Sequence, residues 1–130
     1  MGRADEEFLA ALEAGTLPPA EFNHRGHLRA GFLYLRQHDF PGACVAMKRT
    51  IRAFAAALGK GSLYHETVTI AYLALLAERL VEEPRELGFE DFLERYPELL
   101  LRDYFERYYP KGALDGPEAR ATFLLPRPRS

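Results

Sequence analysis

The chain predicts an all-α fold: a compact bundle of four main helices plus short C-terminal helices and an extended tail. Three observations point there. Apolar residues recur at helical spacing along nearly the whole length. Glycines and prolines punctuate the periodic segments, at Gly15, Pro18, Pro19, Gly59 and Pro84. The β-branched run Thr67 to Ile70 leads directly into a long Leu/Ala pattern, which overrides its strand propensity.

Taken in order, Ala4 to Ala14 reads as a short amphipathic helix with Phe8, Leu9 and Leu12 on one side and Gly15 as its stop. Pro18 and Pro19 oppose a helix interior and make GTLPPAEF a loop. A second helix spans His24 to Gln37. Asp39 caps a third, with Pro41 in its first turn and Gly59 at its end. GKGS, Gly59 to Ser62, is a flexible joint. The fourth helix runs from Tyr64 to Val81 and is stopped by Pro84. Short helices follow at Glu90–Arg95 and Pro97–Arg107. The tail carries Gly112, Gly116 and four prolines, and reads as a loop, a helical turn near Pro117–Thr122 and an extended end. No internal repeat or second domain interrupts the pattern, so residues 1–130 form one helical domain.

A length of 130 residues is enough to bury a real core. The formal charge of -2, without a dense basic run, argues against nucleic-acid binding. The lone cysteine, Cys44, excludes an internal disulfide and reads as a small buried hydrophobe. No apolar run approaches the roughly 20 residues of a membrane span, and the acidic N-terminus does not resemble a signal peptide. These features predict a cytoplasmic protein without a membrane partner. Asn23 and Gln37 are the only side-chain amides, and arginine far outnumbers lysine, which fits a thermophile or a GC-rich genome.

Chemistry concentrates at the histidines. A helix turns about 100° per residue, so His24 shares a face with Leu28, Gly31, Phe32 and Leu35. His27 lies on the flank of that stripe, with Gly31 and Tyr34 below it. Gly31 leaves a gap suited to close packing or a ligand. On the fourth helix, His65 shares a face with Thr69, Tyr72, Leu76 and Leu80. Placed in the first helical turn, it meets the positive end of the dipole, which favours the neutral imidazole that binds metal or accepts a proton. His24 and His27, at i and i+3, can share one metal ion, and His65 completes a candidate set for a divalent metal, zinc or non-haem iron. Convergence requires the second and fourth helices to be neighbours. The competing reading is that these histidines are hydrogen-bonded structural residues, with Tyr34 or Tyr64 nearby. His38, at the end of the second helix, suits a surface role.

The order FNHRGHLRAGFLYLR, RAFAAALGKGSLYHETVTIAYLALLAERL and FLERYPELLLRDYFERYYPKGALDGPEARATFLLP resembles an uncharacterised family of small bacterial helical proteins. Its marks are a paired-histidine HxxHLR helix, a YHET segment, a P-[DE]-LL turn, a double tyrosine and an AR-x-x-F-x-x-P ending. The resemblance covers about Phe22 to Pro126, and departs from the pattern at Tyr96 and Arg127. It implies an all-helical fold and groups His24, His27 and His65 with Tyr64, Glu66, Thr67, Tyr108, Tyr109 and Arg120, without implying a reaction.

The leading expectation is therefore a metal or small-ligand site between the second and fourth helices. Glu66 is its candidate acid or base, and Tyr64, Tyr108, Tyr109 and Arg120 are candidate substrate contacts. Arg120 suits an anionic group on a small ligand. A second expectation, from a different class, is a non-catalytic adaptor or homo-oligomer. It rests on the C-terminal aromatics Phe89, Phe92, Tyr96, Tyr104, Phe105, Tyr108 and Tyr109 as exposed residues. A haem pocket with an axial histidine ranks lower.

Overall fold

The computed structural model describes residues 4–60 and 64–126, and all regular elements among them are helical. Helix α1 spans Asp5–Ala14, α2 His24–Gln37, α3 Phe40–Ala57, α4 Glu66–Leu80, α5 Phe89–Arg95 and α6 Pro117–Ala121. Short 3₁₀ turns lie at Pro19–Glu21, Pro97–Leu100 and Arg102–Arg107. The expected single helix over 97–107 is thus two turns, separated where Leu101 takes an extended backbone (φ -84°, ψ 130°). Part of the expected GKGS joint, and Arg127, lie outside the described residues.

Local chemistry sets most boundaries. The C-cap Gly15 adopts φ +76°, and the amides of Gly15 and Thr16 bond back to Leu12 and Ala11. Asp39 Oδ1 accepts the Gly42 amide at 2.9 Å and starts α3, with proline in the first turn. Gly59, at φ +72°, ends it with a bond from Lys60 N to Ala55 O. The β-branched start of α4 is helical, and Thr69 Oγ1 is accommodated there by donating to His65 O one turn back at 2.8 Å.

Helices α2, α3 and α4 pack on one another; α1 lies against α3, α5 against α2 and α6 against α4. Phe8, Leu12, Leu28, Leu73, Leu76, Phe92 and Leu99 are fully buried. Tyr34 is buried too, but on the α1 and α3 side rather than beside the histidines. Its hydroxyl donates to Glu13 Oε2 at 2.6 Å and pairs with Thr50 Oγ1 at 2.8 Å. The C-terminal aromatics are not an exposed surface. Phe89, Phe92, Phe105 and Tyr109 belong to the core, and Tyr96, Tyr104 and Tyr108 pack against it. Of the residues expected to mark an adaptor face, four are thus buried and three half-buried, because α5 and the 3₁₀ turns fold back over α2 and α4. Cys44 is half-buried rather than buried, and burial followed by the charge of Glu66 pushes its thiol pKa up.

Thr67 pins the tail. Its fully buried hydroxyl lies 2.7 Å from both Ala119 O and Thr122 O and accepts the Leu124 amide at 3.1 Å. Thr67→Val keeps the shape but strands these backbone groups, and is expected to destabilise the fold by about 2 kcal/mol. Urea unfolding reads this loss, and hydrogen exchange should show faster opening at Leu124.

Candidate functional site

The segment leading into α2 is held by backbone geometry. The 3₁₀ turn Pro19–Glu21 delivers Phe22 to the core, and Asn23 Oδ1 then accepts the Gly26 amide at 2.9 Å as the N-cap. A Cβ on Gly26 would sit 2.2 Å from the carbonyl oxygen of Glu21, so only glycine allows this approach. His24 and His27 leave the helix on the side facing α4. There Gly31 provides the close contact: a Cβ on it would lie 2.9 Å from Leu76 Cδ1 and 3.1 Å from Leu73 Cδ2.

A cavity of about 370 Å³ opens between α2, α3 and α4. Its apolar wall comprises Phe22, Leu28, Gly31, Met47, Ile51, Val68, Leu73 and Leu76. The polar lining is Asn23, His24, His27, His65, Thr69 and Tyr72. All three histidines expected to converge therefore border one space. The volume is at the small end of the roughly 300–1,000 Å³ found for small-molecule pockets.

The three imidazoles differ in what they have left to offer. His65 is the N-cap of α4 itself, one position before the first turn in which it was expected. Its Nδ1 accepts the Val68 amide at 3.2 Å, so the ring proton is on Nε2, which donates to Leu114 O at 2.9 Å. Both nitrogens are spent on holding the chain. His24, at the exposed mouth, donates from Nε2 to Leu99 O at 2.9 Å, which leaves Nδ1, and its ring meets Tyr72 edge-on at 5.2 Å. His27 stacks on Phe22, with ring centroids 3.9 Å apart and planes 12° from parallel. Among the described residues its ring nitrogens have no hydrogen-bond partner. Burial, and secondarily the nearby His24, push its pKa down to about 4, so the ring is neutral near pH 7.

This arrangement does not supply the expected three-histidine metal set. Among the described residues no three His, Cys, Asp or Glu side chains are grouped to hold a metal ion. The physical reason is the capping role of His65: ligation through either nitrogen would break a bond that the fold uses.

The other expected site residues lie elsewhere. Glu66 does not line the cavity; it accepts from the Tyr64 hydroxyl at 2.7 Å and pairs with Lys48 on α3 at 3.2 Å. Burial alone would raise its carboxyl pKa, but the bonds from Tyr64 and Lys48 outweigh that and hold it below the usual range. Tyr64 is buried beneath Arg52, whose guanidinium carbon lies 4.8 Å from the ring centroid. Tyr109 donates to Leu124 O at 2.7 Å, and Tyr108 lies 3.3 Å from the Tyr104 hydroxyl; both line a smaller groove against Ala71 and Leu75 of α4. Arg120 is exposed on α6, outside the cavity. Three polar residues not chosen from the sequence do belong to the site: Tyr72, Asn23 and Thr69. Tyr72 lines it, stacked on Phe105 at 4.4 Å, with its phenol pushed up to about 12 by burial. Asn23 lines it at the helix start. The signal for Tyr72 was its helical phase, shared with His65.

No protein-family model matches the chain, nor does any curated protein or solved structure.

Proposed function

We propose that this protein binds a small molecule in the cavity between α2, α3 and α4, with His27 as its polar anchor. One observation carries the reading: a half-buried, neutral imidazole borders a mostly apolar cavity without a hydrogen bond to any described residue. Its nitrogens are not sealed in the protein, since among the described residues only Arg36 Nε is a fully enclosed side-chain polar atom without a partner; they are open to the cavity, and an apolar pocket with a few convergent polar groups is the usual form of a ligand site. In this reading α1 to α4 act as a four-helix bundle that supplies a rigid frame. His24 and His65 tie the segments around Leu99 and Leu114 to its rim. Recognition, rather than acid–base turnover by Glu66, is the activity this supports, since that carboxylate is engaged by Tyr64 and Lys48.

The test is an amide chemical-shift titration with toluene, with zinc as a separate addition. Toluene should perturb Leu28, Gly31, Val68 and Leu73 together. Gly31→Leu, which directs a side chain toward Leu73 and Leu76, should abolish the response, as should the milder filling substitution Val68→Phe. No response in the unsubstituted protein, or an undiminished one in both folded variants, contradicts the reading. Saturable stoichiometric zinc uptake lost in His27→Phe would favour the metal version instead.

A further inference from the structure

The hydrogen-bonding inventory of the cavity narrows its occupant, on the reading that the cavity is a ligand site. Most polar atoms around it are already engaged. Asn23 Oδ1 holds the Gly26 amide, Thr69 Oγ1 donates to His65 O, and His65 uses both ring nitrogens. His24 Nε2 is bonded to Leu99 O, and its Nδ1 belongs to a ring exposed at the mouth. What remains is Asn23 Nδ2, on an exposed residue at the helix start, and the less exposed His27 imidazole and Tyr72 phenol, none of which has a hydrogen-bond partner among the described residues. Among the described residues, none that lines the cavity is Asp, Glu, Lys or Arg. The nearby charges are engaged outside the cavity: Arg25 with Glu90, and Lys48 with Glu66.

A carboxylate or ammonium entering such a space would shed its water without meeting an opposite fixed charge, which is strongly unfavourable. A hydroxyl or carbonyl loses less and can be matched. Neutral imidazole offers one N–H and one lone pair, and a phenol offers a donor and an acceptor. We infer that the ligand is an uncharged molecule with an apolar body and a single alcohol, phenol or carbonyl group, received by His27 and Tyr72. The earlier expectation of an anionic ligand depended on Arg120, which is not at the cavity.

A size-matched series on the full chain tests this: toluene, benzyl alcohol, benzoate and benzylamine, each titrated by calorimetry and amide shifts. Benzyl alcohol should bind roughly five-fold more tightly than toluene, the worth of one net hydrogen bond. Benzoate and benzylamine should each bind at least about ten-fold more weakly than the alcohol. His27→Phe should remove the preference for alcohol over toluene while retaining toluene binding. Tyr72→Phe should reduce that preference and provides the same comparison if His27→Phe does not fold. Tighter binding of benzoate or benzylamine than of the alcohol overturns the inference. So does toluene binding with no gain for the alcohol, which leaves the cavity reading intact. Binding of none of the four overturns both.

Discussion

Acidification from pH 6.5 to pH 4 is expected to cost the folded state about 3 kcal/mol through His27 alone. In the unfolded chain its imidazole titrates near 6.5, whereas in the fold burial first, and His24 second, lower it to about 4. Between those values the unfolded chain binds a proton that the folded protein refuses. Stability therefore rises with pH across this window; the contribution is complete above 6.5 and is lost progressively toward 4. His27→Phe keeps a ring to stack on Phe22 and removes the titration. Chemical denaturation of both proteins at half-unit pH steps isolates the effect, because the carboxylates common to both cancel in the difference. Wild-type should lose about 3 kcal/mol more than the variant over this range. Parallel curves would mean that the ring takes up protons readily and is not buried as described. The same property bears on binding, since a ring that stays neutral serves an uncharged partner.

Gly26→Ala is expected to destabilise the protein by roughly 3 kcal/mol, against a gain of up to about 1 kcal/mol from helix propensity. The added methyl would meet the Glu21 carbonyl at 2.2 Å, and a backbone atom cannot turn aside as a side-chain end can. Relief requires the Pro19–Glu21 turn to move away from α2, carrying Phe22 and loosening its stack with His27. Gly31→Ala is the informative contrast. Its nearest atoms are the ends of Leu76 and Leu73, which border open cavity, so the clash can relax and the net change should stay within about 1 kcal/mol. Thermal and urea unfolding of the two variants should separate them clearly. Equal losses would show that the α2–α4 approach is as rigid as the backbone contact at Gly26.

Helix order and most boundaries were legible because they depend on short-range chemistry. The second helix has the bounds read from its pattern, Asp39 caps the third, and Gly15 and Gly59 take the left-handed backbone that ends their helices. The apolar stripe through His24, Leu28 and Gly31 does face α4, and the glycine gap marks the close approach. What was not legible is how finite hydrogen-bonding capacity is divided. The fourth helix begins at Glu66 rather than Tyr64, and that shift turns His65 from a candidate ligand into a cap. Glu66 becomes the first residue of the helix, and meets Lys48 on α3 rather than the cavity. Bonds to Leu99 O and Leu114 O span 75 and 49 residues of sequence, so periodicity around His24 or His65 holds no trace of them. The C-terminal aromatics were misread for a related reason. Their segments are short and irregular, and their burial comes from folding back onto α2 and α4 rather than from a stripe of their own.

The central claim, that His27 is the anchor of a ligand cavity, is tested most directly by the ring nitrogens themselves. Long-range proton–nitrogen correlation spectra, recorded while benzyl alcohol is added at pH 7, report the tautomer and hydrogen bonding of each imidazole. The account predicts that the His27 nitrogen resonances move in a saturable way, while those of His65, held between the Val68 amide and Leu114 O, remain in place. Saturable binding that leaves the His27 nitrogens unmoved, or no binding at all, would contradict it.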